Sequence, residues 1–203
     1  RVTGWSYVEA TWQAGRALLS LTPHLGCFEI TAQYYAAHRP ITVLYRPPRK
    51  SWLRPIVETG RGTHLKLAPA NLGGVRQLMK ALRQHQAIGI LPDQVPGQGE
   101  GLWAPFFGRP AYTMTLAARL AAQPVTVLLV YAERLPYGAG YHLVLQPLAT
   151  PLADTLEARV IQFNEALEGL IQACPSQYLW GYNRYKTPAG VAPPATPIAG
   201  TSS

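Results

Sequence analysis

The residues best equipped for chemistry lie close together in Leu21–Ile30, which reads LTPHLGCFEI. His24 and Glu29 stand five apart, a spacing that would set them roughly 140° apart around a single helix. The local sequence argues against a single helix. Ala17–Leu21 is a short apolar run suited to a buried strand, and Pro23 disfavours helix at Thr22, so His24 falls at a strand's end. Gly26 permits a sharp turn, after which Phe28–His38 can form a helix. From the first turns of that helix the Glu29 carboxylate can reach back to the imidazole. It would fix the tautomer through Nδ1–H and leave Nε2 free to take a proton. Such a pair is a general base for a hydroxyl. The same placement also suits a histidine that only caps or packs against the following helix.

Two further groups of residues could serve that base. Ile41–Tyr45 is a β-branched run that ends in Arg46-Pro47-Pro48-Arg49-Lys50, and its prolines stop the strand and leave three cations in a loop at its carboxyl end. In an open α/β sheet that end is where ligands bind. Ala87–Leu91 runs into Pro92-Asp93-Gln94, which sets Asp93 at a strand's carboxyl end, where it can orient a donor or acceptor group. The Gly-rich stretch Val95–Leu102 lacks the pattern of a phosphate-binding P-loop. Trp103, Phe106 and Phe107 follow, either as loop packing or as the wall of an apolar groove.

HLGCFE resembles the His-x4-Asp/Glu motif of the glycerolipid acyltransferase superfamily, and TPHxGxxE around it resembles the bacterial lipid A late acyltransferases. Many of those have Asn-Trp where this chain has Cys27-Phe28, a departure that touches neither His24 nor Glu29. The Tyr-Arg-Pro segment at Tyr45–Pro47, LPDQ…FFGRPA and the closing QYLWGYNRYK (Gln177–Lys186) resemble further blocks of that family, in the same order. The resemblance implies a His24–Glu29 general base and acyl transfer from acyl carrier protein to a hydroxyl of a lipid A precursor or related glycolipid. It implies Arg46, with Arg49, Arg61 and Asp93, as oxyanion, phosphate or substrate contacts, and Trp103, Phe106 and Phe107 as candidates for an acyl groove. It implies no cofactor and no metal. Cys27 beside His24 raises a thiol nucleophile as an alternative, which the family's direct attack by the acceptor disfavours. Another glycolipid or lysophospholipid acceptor with acyl-CoA as donor, and a non-catalytic membrane-binding module, are the competing readings.

The elements that must position these residues follow from pattern. Gly4–Ala14 carries Trp5, Val8 and Trp12 at helical spacing, Ser51–Gly60 is a predicted helix, and His64–Leu67 is a predicted edge strand. Asn71 is placed to cap a helix whose apolar face is Leu72, Val75, Leu78, Met79 and Leu82 and whose other face carries Arg76, Lys80 and Arg83. Tyr112–Ala122 is expected to be helical. Val125–Tyr131 and Tyr141–Pro147 form an expected hairpin, and Asp154–Ala173 is the clearest helix. Alternating strands and helices imply an α/β fold, glycerolipid acyltransferase-like, with a mixed, mostly parallel central sheet and helices on both faces. Residues 1–186 are expected to form one acyltransferase domain, and the Pro/Ala-rich 187–203 a disordered tail.

The chain has 203 residues and a formal charge of +8, which favours acidic partners such as an anionic membrane surface, phosphorylated lipid or an acidic carrier protein. The cations form no block and no nucleic-acid-binding signature appears, so nucleic acid is not an expected partner. Cys27 and Cys174 are far apart, without metal-ligand spacing, which fits a reducing compartment. No apolar stretch approaches the ~18 residues that span a bilayer. The resemblance places the protein at the cytoplasmic face of the inner membrane. Beginning at Arg1 without Met, the chain is expected to lack the family's N-terminal anchor.

Overall fold

The computed structural model describes residues 1–46 and 64–194. The first half holds β1 (Val2–Thr3), α1 (Trp5–Gln13), β2 (Ala17–Leu21), α2 (Phe28–Ala36), β3 (Ile41–Tyr45), β4 (Leu65–Pro69), α3 (Leu72–Arg83) and β5 (Ala87–Ile90). The second holds β6 (Gly101–Phe106), β7 (Arg109–Met114), α4 (Leu116–Ala121), β8 (Val125–Arg134), β9 (Tyr141–Pro147) and α5 (Leu156–Ala173). Arg49, Arg61 and the expected helix Ser51–Gly60 lie outside the described residues.

Seven strands form one sheet in the order β1-β9-β8-β2-β5-β3-β4. All neighbours are parallel except the β8–β9 hairpin, so the sheet is mixed and mostly parallel, as the alternation of elements implied. The continuous apolar run ALLSL becomes β2, buried at every residue, because it lies between β8 and β5 with both faces covered. Its side chains alternate between two cores. Leu19 and Leu21 join Ile88, Ile90 and Leu129 under α3, α4 and α5, while Leu18 joins Leu128, Val130, Leu143 and Leu145 under α1 and α2. Asn71 caps α3 as expected, its side chain accepting from the Gly74 N–H at 3.0 Å, and Thr155 caps α5 in the same way.

One region departs from expectation. Gly101–Met114, where no strand was expected, forms the two-stranded β6–β7 ribbon, and the helix expected from Tyr112 begins only at Leu116. The turn is Phe107-Gly108, both with positive φ (47° and 69°), the backbone that a two-residue hairpin of right-handed twist requires. Pro105 and Pro110 are directly opposite each other, one step from the closing pair Phe106–Arg109. That is a position where ladder N–H groups are not needed, so residues that read as strand breakers do not break this ribbon. Residues 188–194 have no regular structure, and Ala192 accepts a hydrogen bond from the Trp103 indole at 2.9 Å.

Candidate active site

Strands β2, β5 and β3 are parallel neighbours, so their carboxyl ends share one edge of the sheet. The turn after β2 presents His24, the turn after β5 presents Asp93 and Gln94, and Arg46 follows directly on β3. A hydrogen bond from the Thr22 N–H to the Ile90 carbonyl, 3.1 Å, carries the β2–β5 pairing up to this edge.

Asp93 is 2% exposed and grips His24 twice. One carboxylate oxygen accepts the His24 main-chain N–H at 2.8 Å, and the other accepts Nδ1–H at 2.7 Å. The imidazole is thereby oriented by the same group that fixes its backbone. With the proton on Nδ1, Nε2 is the basic nitrogen. The Gln94 side-chain amide stands 3.3 Å from Nε2 and can donate to it. Phe28 packs edge-on against the ring, centroids 4.9 Å apart.

The turn that carries His24 is specified by Gly26. Its φ is +60°, and a Cβ there would run into the Ala132 carbonyl oxygen. That carbonyl accepts the Cys27 N–H at 2.8 Å, and the Gly26 N–H donates to Gln177 O at 3.0 Å. Gly26→Ala is therefore expected to destabilise the fold by about 2–4 kcal/mol, combining left-handed strain with a backbone clash. A thermal unfolding midpoint within error of wild type would contradict this.

His24 and Gln94 line a cavity of about 770 Å³, together with Glu29 and Arg46. Its floor lies on the α1–α2 face of the sheet. Ser20, Gly89 and Val43 sit side by side across β2, β5 and β3, and Gly89 leaves a trough where a side chain would otherwise stand. Leu18, Ile41, Val130, Leu143 and Leu145 extend the apolar floor, and Tyr35 and Ala32 of α2 close it from above. Leu72, 79% exposed, and Val75 of α3 reach its rim. Among the described residues no group of three or more His, Cys, Asp or Glu is placed to hold a metal ion.

The closing segment after α5 holds the other side of the His24–Asp93 pair. The Leu179 N–H donates to His24 O at 3.1 Å, Leu25 and Tyr178 form a β-bridge, and the Val95 N–H donates to the Tyr182 hydroxyl at 2.9 Å. Burial, and then the negative charge of Asp93, push the Tyr178 phenol far above its ordinary range. Arg184, 3% exposed, donates to Tyr112 O at 2.9 Å and to Thr113 Oγ1 at 2.7 Å. Burial lowers its guanidinium pKa, while Tyr178 and Asp93 oppose that shift.

Residues 1–187 match the sequence pattern described as bacterial lipid A biosynthesis acyltransferase. The chain belongs to this family. It is 28% identical over 197 residues to the lipid A biosynthesis lauroyltransferase of Escherichia coli (strain K12), covering 94% of this chain and 63% of that protein. It is 26% identical over 191 residues to the lipid A biosynthesis palmitoleoyltransferase of the same organism, covering 92% and 61%. A lipid A biosynthesis acyltransferase of Haemophilus influenzae is 24% identical over 184 residues, covering 87% and 56%. The chain thus spans less than two thirds of the length of these relatives.

Against that family frame, His24, Glu29, Arg46 and Asp93 are brought to one cavity edge, although Asp93 itself lies behind the ring rather than on the lining. The nitrogen that sequence spacing assigned to Glu29 is engaged by Asp93. The physical reason is the sheet: β5 is hydrogen-bonded to β2 and delivers Asp93 directly behind the imidazole, whereas Glu29, exposed on the first turn of α2, lies along the cavity lining. The acyl-groove candidates Trp103, Phe106 and Phe107 lie on the β6–β7 ribbon. Phe106 is 1% exposed in the core under α5, Phe107 packs edge-on against it at 5.0 Å, and Trp103 meets Tyr112 edge-on at 5.4 Å. None of the three lines the cavity, because the ribbon that carries them packs against α5, on the opposite face of the sheet from α1 and α2. Gln94, Gly89 and Tyr178 were not singled out from sequence. Gln94 and Tyr178 lie within recognised blocks, so their signal was present without a geometry to rank them.

Proposed function

We propose that this chain carries the reaction centre of an O-acyltransferase that moves a fatty acyl chain from acyl carrier protein to a hydroxyl of a lipid A precursor. The observation that carries this reading is a histidine with Nδ1 held by a buried carboxylate and its other edge toward an apolar trough of about 770 Å³. A trough of that volume, apolar on its floor and polar at one end, suits an acyl chain with its carbonyl at the polar end.

In this reading His24 Nε2 takes the proton of the acceptor hydroxyl as that oxygen bonds to the thioester carbonyl carbon. Asp93 holds the ring and balances the imidazolium, and Glu29 adds negative potential from the cavity lining. The carbonyl oxygen becomes an oxyanion, with the Gln94 amide and Arg46 as its donors. Collapse of the tetrahedral species breaks the C–S bond, and the leaving thiolate recovers the proton from His24. The exposed Arg76, Lys80 and Arg83 on α3, next to the Leu72 rim, suit an acidic carrier and the anionic cytoplasmic face of the inner membrane. No helix among the described residues is long and apolar enough to cross a membrane.

The test is a mass spectrum of the outer-membrane glycolipid from cells lacking the gene, with and without the gene restored. Restoration is expected to add one acyl mass; an unchanged glycolipid would move the acceptor to another lipid class. Gly89 supplies a second check. A Cβ there already approaches Val43 Cγ2 at 3.3 Å, so Gly89→Leu is expected to fill the trough and shift preference by several carbons toward shorter acyl donors. Unaltered chain-length selectivity would place the acyl chain elsewhere.

A further inference from the structure

The cavity extends beyond the apolar trough. Leu44, Ile90, Met114 and Leu116 also line it, and these belong to the core under α3, α4 and α5, the face of the sheet opposite Leu18 and Val43. The space therefore passes over the carboxyl edge of the sheet, and His24 and Gln94, in the turns after β2 and β5, stand where its two arms meet. A transfer between two substrates needs two approaches to one base. On the α1–α2 face the floor is apolar. The second arm is polar toward solvent, where Thr115, Arg119 and Glu100 line it, the last two exposed.

These three residues are tied together. The Thr115 hydroxyl donates to Glu100 O at 3.1 Å and meets Arg119 Nε at 3.4 Å, while a Glu100 carboxylate oxygen accepts the Gly97 N–H at 3.0 Å. Arg119 is thus held through Nε, and its two terminal nitrogens have no hydrogen-bond or ion-pair partner among the described residues. A planar fork left open in this way matches two oxygens of a phosphate. Glu100 keeps acceptor positions beyond the one given to Gly97, and these suit sugar hydroxyls.

We infer that the second arm is the acceptor subsite and that Arg119 binds a phosphate carried on the acceptor's sugar. The inference rests on the proposed acyl transfer for which substrate enters here; the phosphate recognition itself rests on Arg119 and the course of the cavity. The hydroxyl to be acylated then reaches His24 from the α3–α4 side while the acyl chain lies on the α1–α2 side, so both substrates can be bound at once. Arg119 takes no part in the bond changes. It decides which acceptor is held long enough for them to occur.

The experiment compares wild type, Arg119→Gln and Arg119→Lys in the full chain. Calorimetric titration with glucose 1-phosphate against glucose needs no turnover, and initial rates use a phosphorylated lipid A precursor with an acyl carrier protein thioester. Wild type is expected to favour glucose 1-phosphate over glucose, and Arg119→Gln to lose that preference. The same variant is expected to raise KM for the lipid acceptor about tenfold, the effect of losing a charged hydrogen-bond pair, with kcat and KM for the acyl donor unchanged. Arg119→Lys keeps the charge without the fork and is expected to fall between the two. If Arg119→Gln raises KM for the donor instead, the phosphate belongs to the carrier's prosthetic arm and the inference is overturned. It is also overturned if neither the titration nor the acceptor KM responds, for Arg119 is then only a cation at the end of α4. Should the titration respond while no acceptor is acylated, the phosphate subsite stands and the acyl-transfer reading falls.

Discussion

His24→Ala is expected to lower acyl transfer by about 10²–10⁴-fold, the range attached to a positioned general base, with KM for the acyl donor little changed. The split between the two parameters follows from where the side chain lies. His24 is at the polar end of the trough, whereas the apolar floor from Leu18 to Leu145 that would hold the chain does not involve it. The fold should survive. Alanine keeps the main-chain N–H that donates to Asp93, and Gly26, Cys27 and Leu179 keep their backbone bonds. What is lost is one partner of a buried carboxylate, worth about 1–3 kcal/mol. Initial rates with purified protein, with unfolding midpoints as control, read both effects. Wild-type kcat in a folded His24→Ala variant would remove the base from the mechanism.

The sheet was largely legible in the residues because its strands are apolar runs punctuated by Pro, Gly and Asn, and its longer helices keep 3/4 spacing over several turns. The β6–β7 ribbon was not. Two prolines and a Phe-Gly turn look like loop until it is known that Pro105 and Pro110 face each other outside the ladder bonds. The site was legible to the extent that it is local: His24 and Arg46 lie beside the strands that place them. Glu29 is also local, and its nearness along the chain made it the natural partner for His24. The carboxylate on Nδ1 instead comes from 69 residues away, across a strand pairing that no local pattern specifies. The trough has the same character, since Gly89 matters only because Ser20 and Val43 flank it on neighbouring strands. Trp103, Phe106 and Phe107 read equally as loop packing or groove wall in the sequence, and only the ribbon shows that Phe106 and Phe107 pack into the core under α5.

Asp93→Asn against Glu29→Gln decides which carboxylate serves His24. Asp93 now accepts two hydrogen bonds from His24, one from the backbone and one from Nδ1. An asparagine has one acceptor oxygen and one amide donor in that space. If the oxygen keeps the His24 N–H, the amide donates to Nδ1 and the proton moves to Nε2, so the basic lone pair turns away from the cavity. If the oxygen keeps Nδ1–H, a buried backbone N–H faces an N–H. Either arrangement impairs the base, and the expected fall in kcat is about 10³–10⁴-fold, comparable to a catalytic triad left in the wrong tautomer. Glu29→Gln, on the exposed first turn of α2, removes one charge from the cavity lining and is expected to cost about tenfold or less. The double variant His24→Ala with Asp93→Asn should be no slower than His24→Ala alone, since groups that act as a unit are not additive. A larger loss from Glu29→Gln than from Asp93→Asn would return the dyad to the pair five residues apart in the chain and leave Asp93 a structural clamp on the turn.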